Sequence, residues 1–288
     1  MNKLFQYSLF NLIFLLTFPL TMHAVKINLP ENHAVNGGVT IIPIDLKEKP
    51  AASYLDKKIA IIPSFMSNQW LMIVGIPLDE KAPIQNIRVS QPQQGLVPFH
   101  VSEKYYRIQS LVIDNKRKVD PFAKDRPRIE AEEKEREQLF SVFSERNPFE
   151  EGFIAPSHGP ISSQFGLRRI YNGKPRAPHT GLDIASPKNT PVIVINSGKV
   201  VSTKNYFFTG NTVIVDHGMG LFSLYAHLDK ILVKPNQQIK QGDQVGLVGA
   251  TGRATGPHLH WSMILNQTLV DPLLFVPSQA ITNMKKRS

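Results

Sequence analysis

Hydrophobic and polar positions divide this chain into an apolar leading run, two regions of short strands and a polar helical segment between them. In the first strand region, residues 25–120, stretches rich in β-branched and aromatic side chains are separated by Gly37-Gly38, Asn115 and several prolines. Strands spaced in this way predict a small β-sandwich. The predicted strands are 39–44, 58–62, 69–74, 85–89 and 106–113.

The polar segment, residues 121–151, predicts a helical connector from Asp125 to Arg146. Asp125 can cap the helix, Pro127 suits its first turn, and Pro148 forbids its continuation. Apolar side chains collect near its end, and no heptad repeat is sustained, which argues against a coiled coil. We expect a mostly solvated helix whose last turns pack on a domain. Its acidic excess favours docking, in which the sandwich lies over the groove of the basic second domain and occludes it, and a passive spacer that holds the sandwich clear of the groove is the alternative.

After Gly152 the pattern of strands returns, with glycines between them. We predict an open, two-sheet antiparallel β domain with a groove over residues 152–275, so the chain is all-β apart from the connector. Gly210-Asn211 and Asp216-His217-Gly218 are predicted turns, which favours a structural over a catalytic role for His217. The predicted strands are 191–195, 199–203, 211–215, 221–225, 244–248 and 259–265.

Both ends of the chain carry features outside these domains. Lys3 and the mostly apolar run that follows it predict a secretory signal peptide over residues 1–24. Polar residues inside the run weaken a stable membrane span, so we expect cleavage, with an uncleaved anchor as the alternative. Either outcome exports the chain, with the periplasm favoured over an extracellular or membrane-anchored location. Residues 276–288 form a basic C-terminal tail.

Two short motifs supply potential metal ligands: His179-Thr-Gly-Leu-Asp183 and His258-Leu-His260. Side chains alternate faces in an extended strand, so His258 and His260 point the same way, as do His179 and Asp183. The chain has no cysteine, so a zinc site must be built from His, Asp or Glu. That composition suits a catalytic zinc ion, which takes three protein ligands and leaves one position for water.

A wider context surrounds these motifs. It comprises Ser163-Gln-Phe-Gly166, Pro178-His-Thr-Gly-Leu-Asp183-Ile-Ala-Ser-Pro187, Gly210-Asn-Thr-Val213, Tyr225-Ala-His-Leu228 and Gly252-Arg-Ala-Thr-Gly-Pro-His-Leu-His-Trp261. Over residues 152–275 the chain closely resembles the lysostaphin-like, LytM-type zinc endopeptidases, which cut peptide cross-links in bacterial cell walls. The resemblance implies one Zn²⁺ per chain, held by His179, Asp183 and His260, with His227 and His258 as the catalytic histidines. Residues 70–78 also resemble the immunoglobulin-like N-terminal domain that precedes this peptidase in some Gram-negative proteins.

The carboxylate inventory supports these histidine roles. No glutamate follows Glu151, which excludes a helical H-E-x-x-H site with a glutamate base in the second domain. If Asp183 binds the metal, a neutral histidine is the best remaining base, because zinc lowers the pKa of its bound water to about 7. His258 lies close enough to His260 to reach that water, and His227 could donate to the developing oxyanion. The sequence leaves open which histidine has which role.

Positive charge is concentrated in the second domain. The net charge is +10, and residues 152–288 hold 14 Lys and Arg against 5 Asp, whereas residues 25–151 hold 18 of each sign. Such a domain is drawn to an anionic polymer. On charge alone, nucleic acid is the alternative partner. The positive charge could also serve solubility only, with no partner implied. Export and the lack of a nucleic-acid motif favour peptidoglycan as the partner. We expect contact with the membrane only through the leader, before it is cleaved.

Three other functions compete with a wall endopeptidase. Some members of the LytM-type family that this chain resembles have lost their zinc residues and serve as scaffolds that activate other wall hydrolases. A wall-binding module would use charge alone, and a different peptide substrate is the third possibility. All five metal and catalytic positions are present here, which favours the enzyme over the first two. For the bond cut, the resemblance favours the link from D-alanine to a diamino acid.

Overall fold

The computed structural model describes residues 27–277 and 279–280. The predicted signal peptide and most of the predicted basic tail lie outside these residues. Strands dominate and helices are few, which confirms the predicted all-β class. Within the described part of the chain, no helix is long and apolar enough to cross a membrane.

Two small antiparallel sheets form the first region. Its strands are β1 (Val39–Asp45), β2 (Ala51–Tyr54), β3 (Lys57–Lys58), β4 (Ala60–Pro63), β5 (Gln69–Gly75), β6 (Ile84–Gln91) and β7 (Gly95–His100). One sheet has the order β1-β5-β4 and the other the order β3-β2-β6-β7. Buried and exposed residues alternate along β6, and its Ile87 packs with Tyr54, Met72 and Phe99 between the sheets. The predicted sandwich is therefore present, held together by one apolar face of each sheet.

A larger sheet forms the second region. Its strands are β9 (Ile161–Ser163), β12 (Leu182–Ile184), β13 (Pro191–Ile193), β14 (Gly198–Tyr206), β15 (Gly210–Gly218), β16 (Leu221–Ile231), β17 (Gln238–Ile239), β18 (Gln244–Val248), β19 (Leu259–Leu265) and β20 (Thr268–Val270). The strand order is β17-β14-β15-β16-β19-β12-β9, while β18 pairs with β13 and β16, and β20 pairs with β19. All of these pairings are antiparallel.

Strand β16 is buried on both faces. Leu221 and Tyr225 pack into the main core of the molecule, whereas Phe222 and Leu224 belong to a second cluster on the opposite face. The two sets follow the two-residue alternation of a strand. Because both faces are covered by other residues, this part of the strand is a nearly continuous apolar run and does not alternate between apolar and polar residues.

The connector covers the outer face of this sheet. It consists of α1 (Lys116–Val119), a 3-10 turn (Ala123–Asp125) and α2 (Arg126–Phe140). Leu139 and Phe140 pack into the second cluster, and the Phe140 ring lies 5.5 Å from that of Phe222. The expectation that the last turns pack on a domain is confirmed.

The predicted end of the connector helix at Arg146 is wrong, because α2 stops at Phe140. Beyond it the chain runs alongside the turn between β15 and β16. There Met219 donates its backbone N–H to Ser144 O at 2.7 Å, and Arg146 Nη1 donates to Ser197 O at 2.7 Å and His217 O at 3.0 Å. These tertiary hydrogen bonds replace the last helical turns.

The predicted turns at Gly210-Asn211 and Asp216–Gly218 are also wrong, because both lie inside β15. The turns fall between the strands, over residues 207–209 and 219–220. Gly210 and Gly218 adopt φ values of 63° and 101°, where the register of β15 against β16 shifts near both ends. Their glycines therefore permit strand irregularities rather than reversals.

The strand predicted at 106–113 forms at Ile108–Leu111 but does not join the sandwich. This strand, β8, pairs in parallel with β10 (Arg168–Tyr171), which pairs in turn with β11 (Lys174–Pro175). The chain leaving the sandwich thus adds a strand beside the second region. The prediction missed this because periodicity reports a strand but not its partner.

The two β regions share one core. The sheet containing β1, β4 and β5 presents its other face to the end of β19 and to β20. The Asn266 side chain closes this contact, since its Oδ1 accepts from Gly75 N at 2.6 Å and its Nδ2 donates to Gly75 O at 3.1 Å. The residues from both regions in this core include Val39, Ala60, Ile62, Ile73, Leu265 and Val270.

Candidate metal centre

Two paired strands bring the predicted ligands together. Asp183 on β12 lies directly opposite His260 on β19, and the loop before β12 carries His179. On the other side of β19, Ala226 of β16 pairs with His260, so His227 is its next neighbour. Antiparallel pairing thus converts sequence separations of 77 residues into direct contact.

Three ligand atoms form a small triangle. His179 Nε2 lies 2.9 Å from Asp183 Oδ1 and 3.1 Å from His260 Nδ1, and His260 Nδ1 lies 2.8 Å from Asp183 Oδ1. Tetrahedral zinc with bonds of about 2.0–2.2 Å separates its ligand atoms by about 3.3–3.6 Å. The triangle needs to expand only slightly to admit such an ion, and all three residues are buried.

The protonation of His179 also fits a cation. Its Nδ1 lies 2.7 Å from the Gln164 carbonyl oxygen, which can only accept. The neutral ring therefore carries its proton on Nδ1 and aims the lone pair of Nε2 at the Asp183 carboxylate. Two acceptors facing each other need a proton or a metal ion between them. A backbone carbonyl that fixes the tautomer of a histidine is the usual support of a metal ligand.

His227 and His258 have the same kind of support. His227 Nδ1 lies 2.7 Å from Thr251 O, and His258 Nδ1 lies 2.8 Å from Gly256 O. In their neutral forms both rings therefore expose the lone pair of Nε2. The two ring centres are 4.8 Å apart, and His258 Nε2 lies 3.9 Å from Asp183 Oδ1. The structure brings all five predicted residues to one place.

The backbone of His227 is unusual. Its φ is 59°, a left-handed value that costs a non-glycine residue roughly 1 kcal/mol or more. The register of β16 against β18 shifts just beyond it, between Leu228 and Lys230. Its N–H donates to Thr209 O at 2.9 Å, which holds the distorted conformation. Such an irregularity re-aims a side chain out of the sheet.

Burial sets the charge of the cluster. It raises the pKa of the Asp183 carboxyl, but the close approach of the His179 and His260 rings outweighs burial and holds the pKa well below its usual range. Burial lowers the pKa of His227 to about 3, and the nearby His258 and His260 act in the same direction. At neutral pH the cluster therefore contains a carboxylate beside an uncharged His227 ring.

Two arginines near the cluster were missed at the sequence level. Arg169 is buried, donates from Nη2 to the second carboxylate oxygen of Asp183 at 3.3 Å, and donates from Nη1 to Gln109 of β8. Arg253 lies in the loop before β19 and stacks on two aromatic rings. The adjacent pair Arg168-Arg169 in a strand was an available signal, because one of two neighbouring side chains must face inward.

A cavity of about 190 Å³ opens over the cluster. The five predicted residues, Arg169 and Arg253 all line it, and the segment that leaves the sandwich contributes Leu111 and Ile113 to its wall. Helix α2 contributes no lining residue. His217 lies elsewhere, fully buried, with Ser197 O at 3.0 Å and Ser223 Oγ at 2.7 Å from its ring nitrogens. Its role is therefore structural, as expected.

Comparison with known proteins gives the same picture for both regions. Residues 177–272 match the model of peptidase family M23, and residues 32–104 match that of the peptidase family M23 N-terminal domain. A crystal structure from Pseudomonas aeruginosa assigned to peptidase M23 is 37% identical, with a TM-score of 0.70, over 85% of this chain and 96% of that chain.

Curated relatives match over less than half of this chain. The peptidoglycan DD-endopeptidase ShyA of Vibrio cholerae is 47% identical over 106 residues, which are 36% of this chain and 25% of that protein. The peptidoglycan DD-endopeptidase ShyB of the same organism is 37% identical over 121 residues, 42% of this chain and 28% of that protein. The chain thus spans only about a quarter of the length of these two relatives.

Proposed function

Because this chain belongs to peptidase family M23, we propose that it is a zinc endopeptidase that hydrolyses peptide cross-links of bacterial peptidoglycan. The observation that carries the proposal is the buried triangle of His179, Asp183 and His260, in which acceptor atoms face one another at 2.8–3.1 Å. The donor set contains no thiolate and leaves two further imidazoles free for chemistry. That combination suits a catalytic zinc ion better than a structural one.

We propose that His179 Nε2, Asp183 Oδ1 and His260 Nδ1 hold one zinc ion per chain. Zinc bound there would supply Lewis acidity, polarising the scissile carbonyl and acidifying water. Asp183 has a single oxygen for the metal, because Arg169 engages the other one. The burial of all three residues strengthens these charge interactions.

We further propose that His258 takes the proton from the attacking water and passes it to the leaving amine. Its Nε2 lone pair faces the cluster, and its side chain is 14% exposed, so water can solvate the charged ring. His227 is costlier to charge, because burial lowers its pKa to about 3. We therefore assign His227 the role of a neutral hydrogen-bond acceptor that orients water or substrate, a choice between the two histidines that the sequence left open.

The choice of substrate rests on relatives and charge. ShyA and ShyB are named peptidoglycan DD-endopeptidases, and the excess of positive charge in residues 152–288 suits acidic stem peptides. We propose that the bond cut joins D-alanine to a diamino acid and that the protein acts in the periplasm after export. A silent scaffold is less well supported, because all five metal and catalytic residues are present and converge.

Digestion of purified, cross-linked wall fragments tests this proposal. Mass analysis of the products should show a D-alanyl terminus and a free amine on the diamino acid. A chelator should abolish the reaction, and added zinc should restore it. Cleavage of glycan strands only, or of oligoglycine bridges only, would refute the proposed bond, and undiminished activity in the chelator would refute the metal.

A further inference from the structure

Arg253 is a charged residue for which the proposed chemistry has no role. It lies in the loop between β18 and β19 and lines the cavity over the metal cluster. Its guanidinium carbon lies 5.0 Å from the ring centre of Tyr171 and 4.5 Å from that of Phe208. Stacking on two rings holds the planar group in place.

The guanidinium has no acidic partner among the residues that the structure describes. Its one protein hydrogen bond runs from Nη1 to the Lys118 carbonyl oxygen at a long 3.5 Å. The other arginines near the cavity are paired, Arg169 with Asp183 and Arg176 with Asp120. Arg253 is therefore a half-buried cation, and most of its five N–H donors make no hydrogen bond within the described part of the chain, so they are available to an anion.

The charges around Arg253 also favour the binding of an anion. Burial lowers the pKa of Arg253, and the neighbouring Arg169 and Arg176 act in the same direction. Among the residues that the structure describes, Asp183 is the one acidic residue that lines the cavity, and Arg169 and the histidines already contact its carboxylate. An added negative charge would therefore meet a positive, partly desolvated surface with fixed donors.

Arg253 lies beside the site of the proposed cleavage. It lines the same cavity as the proposed catalytic His258 and the proposed zinc ligand His260. An anion bound at Arg253 therefore lies near the reacting amide. In a cross-link from D-alanine to a diamino acid, the carboxyl group of the alanine becomes the amide carbonyl. The diamino acid supplies the amide nitrogen and keeps a free carboxylate on the carbon that bears it.

We propose that Arg253 binds this free carboxylate on the amine side of the scissile amide and so selects bonds to a carboxylate-bearing diamino acid. The proposal rests on the proposed function and specifies its substrate. The planar fork of Arg253 suits two parallel hydrogen bonds to a carboxylate. An amide to a lysine side chain has no carboxylate beside its nitrogen, and an amide to an amidated diamino acid has lost that carboxylate. Both bonds lack the anion and are disfavoured.

The proposal is tested by a double-change cycle, in which Arg253 of the enzyme and the carboxylate of the peptide are varied separately and together. Two peptides with the same D-alanyl–diaminopimelate amide are compared, one with the free carboxylate beside the scissile nitrogen and one with a carboxamide there. For the wild-type holoenzyme, amidation should lower kcat/KM by roughly 10- to 100-fold, as expected for loss of a charge-assisted pair. For Arg253→Gln, both peptides should be cleaved at the same low rate.

The controls separate recognition from folding. Arg168→Gln removes an exposed arginine that does not line the cavity, so it should keep the full preference for the free carboxylate. Arg253→Lys, which keeps the charge but not the fork, should keep part of it. A purely structural role for Arg253 would slow both peptides equally and leave their ratio unchanged. An unchanged ratio in Arg253→Gln would therefore overturn the proposal.

A binding measurement separates this proposal from the function on which it rests. Titration calorimetry compares the diaminopimelate peptide with its amidated form in the presence of a chelator, which should stop hydrolysis. The wild type should bind the free carboxylate roughly 10- to 100-fold more tightly, and Arg253→Gln should bind both forms alike. If the wild type cleaves neither peptide, the proposed function fails. Equal binding of both forms by the wild type sinks the role of Arg253.

Discussion

Protonation of His217 should destabilise the fold in mildly acidic solution. His217 belongs to β15, and its ring is fully buried. Ser197 O accepts from its Nδ1 at 3.0 Å, and its Nε2 lies 2.7 Å from the Ser223 hydroxyl. Ser223 donates to the Tyr225 hydroxyl at 2.9 Å, which also accepts from Ile195 N. Charging the ring inside this buried network carries a desolvation cost.

The magnitude follows from the shift of its pKa. Burial lowers the pKa of His217 from 6.5 to about 4. The unfolded chain therefore binds a proton between these values while the folded chain does not. The stabilising effect of the neutral ring is fully present above pH 6.5 and is lost as the pH falls towards 4. At about 1.4 kcal/mol per pKa unit, the loss reaches about 3 kcal/mol.

Urea unfolding at pH 7.0, 5.5 and 4.0 measures this loss. Burial also lowers the pKa values of His227 and His260, so the informative quantity is the difference between the wild type and His217→Asn. The variant should be less stable at pH 7, because the network is damaged, but its stability should fall by about 3 kcal/mol less between pH 7 and pH 4. His100→Asn, which replaces an exposed histidine, is the matched control. Equal slopes for wild type and His217→Asn would refute the reasoning.

Three further predictions concern the metal centre. Asp183→Ala should lose most of its zinc, because it removes a charge as well as a ligand; full occupancy, measured by metal analysis, would contradict the assignment. His227→Ala and His258→Ala should retain zinc but lose roughly 10²- to 10⁴-fold in turnover, and near-normal rates in steady-state assays would show another route of proton transfer. Arg169→Gln should weaken zinc binding by roughly 10- to 100-fold in competition with a chelator, whereas Arg168→Gln should not, and equal affinities would exclude a positioning role for Arg169.

Local pattern was sufficient for the elements and for the chemistry of the site. Alternation of apolar residues predicted the strands of both regions, and the predicted sandwich and antiparallel second sheet are confirmed. Motif spacing singled out His179, Asp183, His258 and His260, because the alternation of side chains in a strand places each pair on one side. The family resemblance added His227. The missing cysteine and glutamate narrowed the ligand and base choices further, since these are properties of composition.

Contacts between distant parts of the chain required the tertiary structure. The Gln109–Arg169 hydrogen bond joins residues 60 positions apart, and Arg253 meets Tyr171 only because a loop and a strand converge. The end of α2 at Phe140 likewise depends on hydrogen bonds from a distant turn. A sequence pattern records which face of an element is apolar, but not which partner buries it. That choice depends on the packing of all the elements together, which decided what surrounds the metal centre.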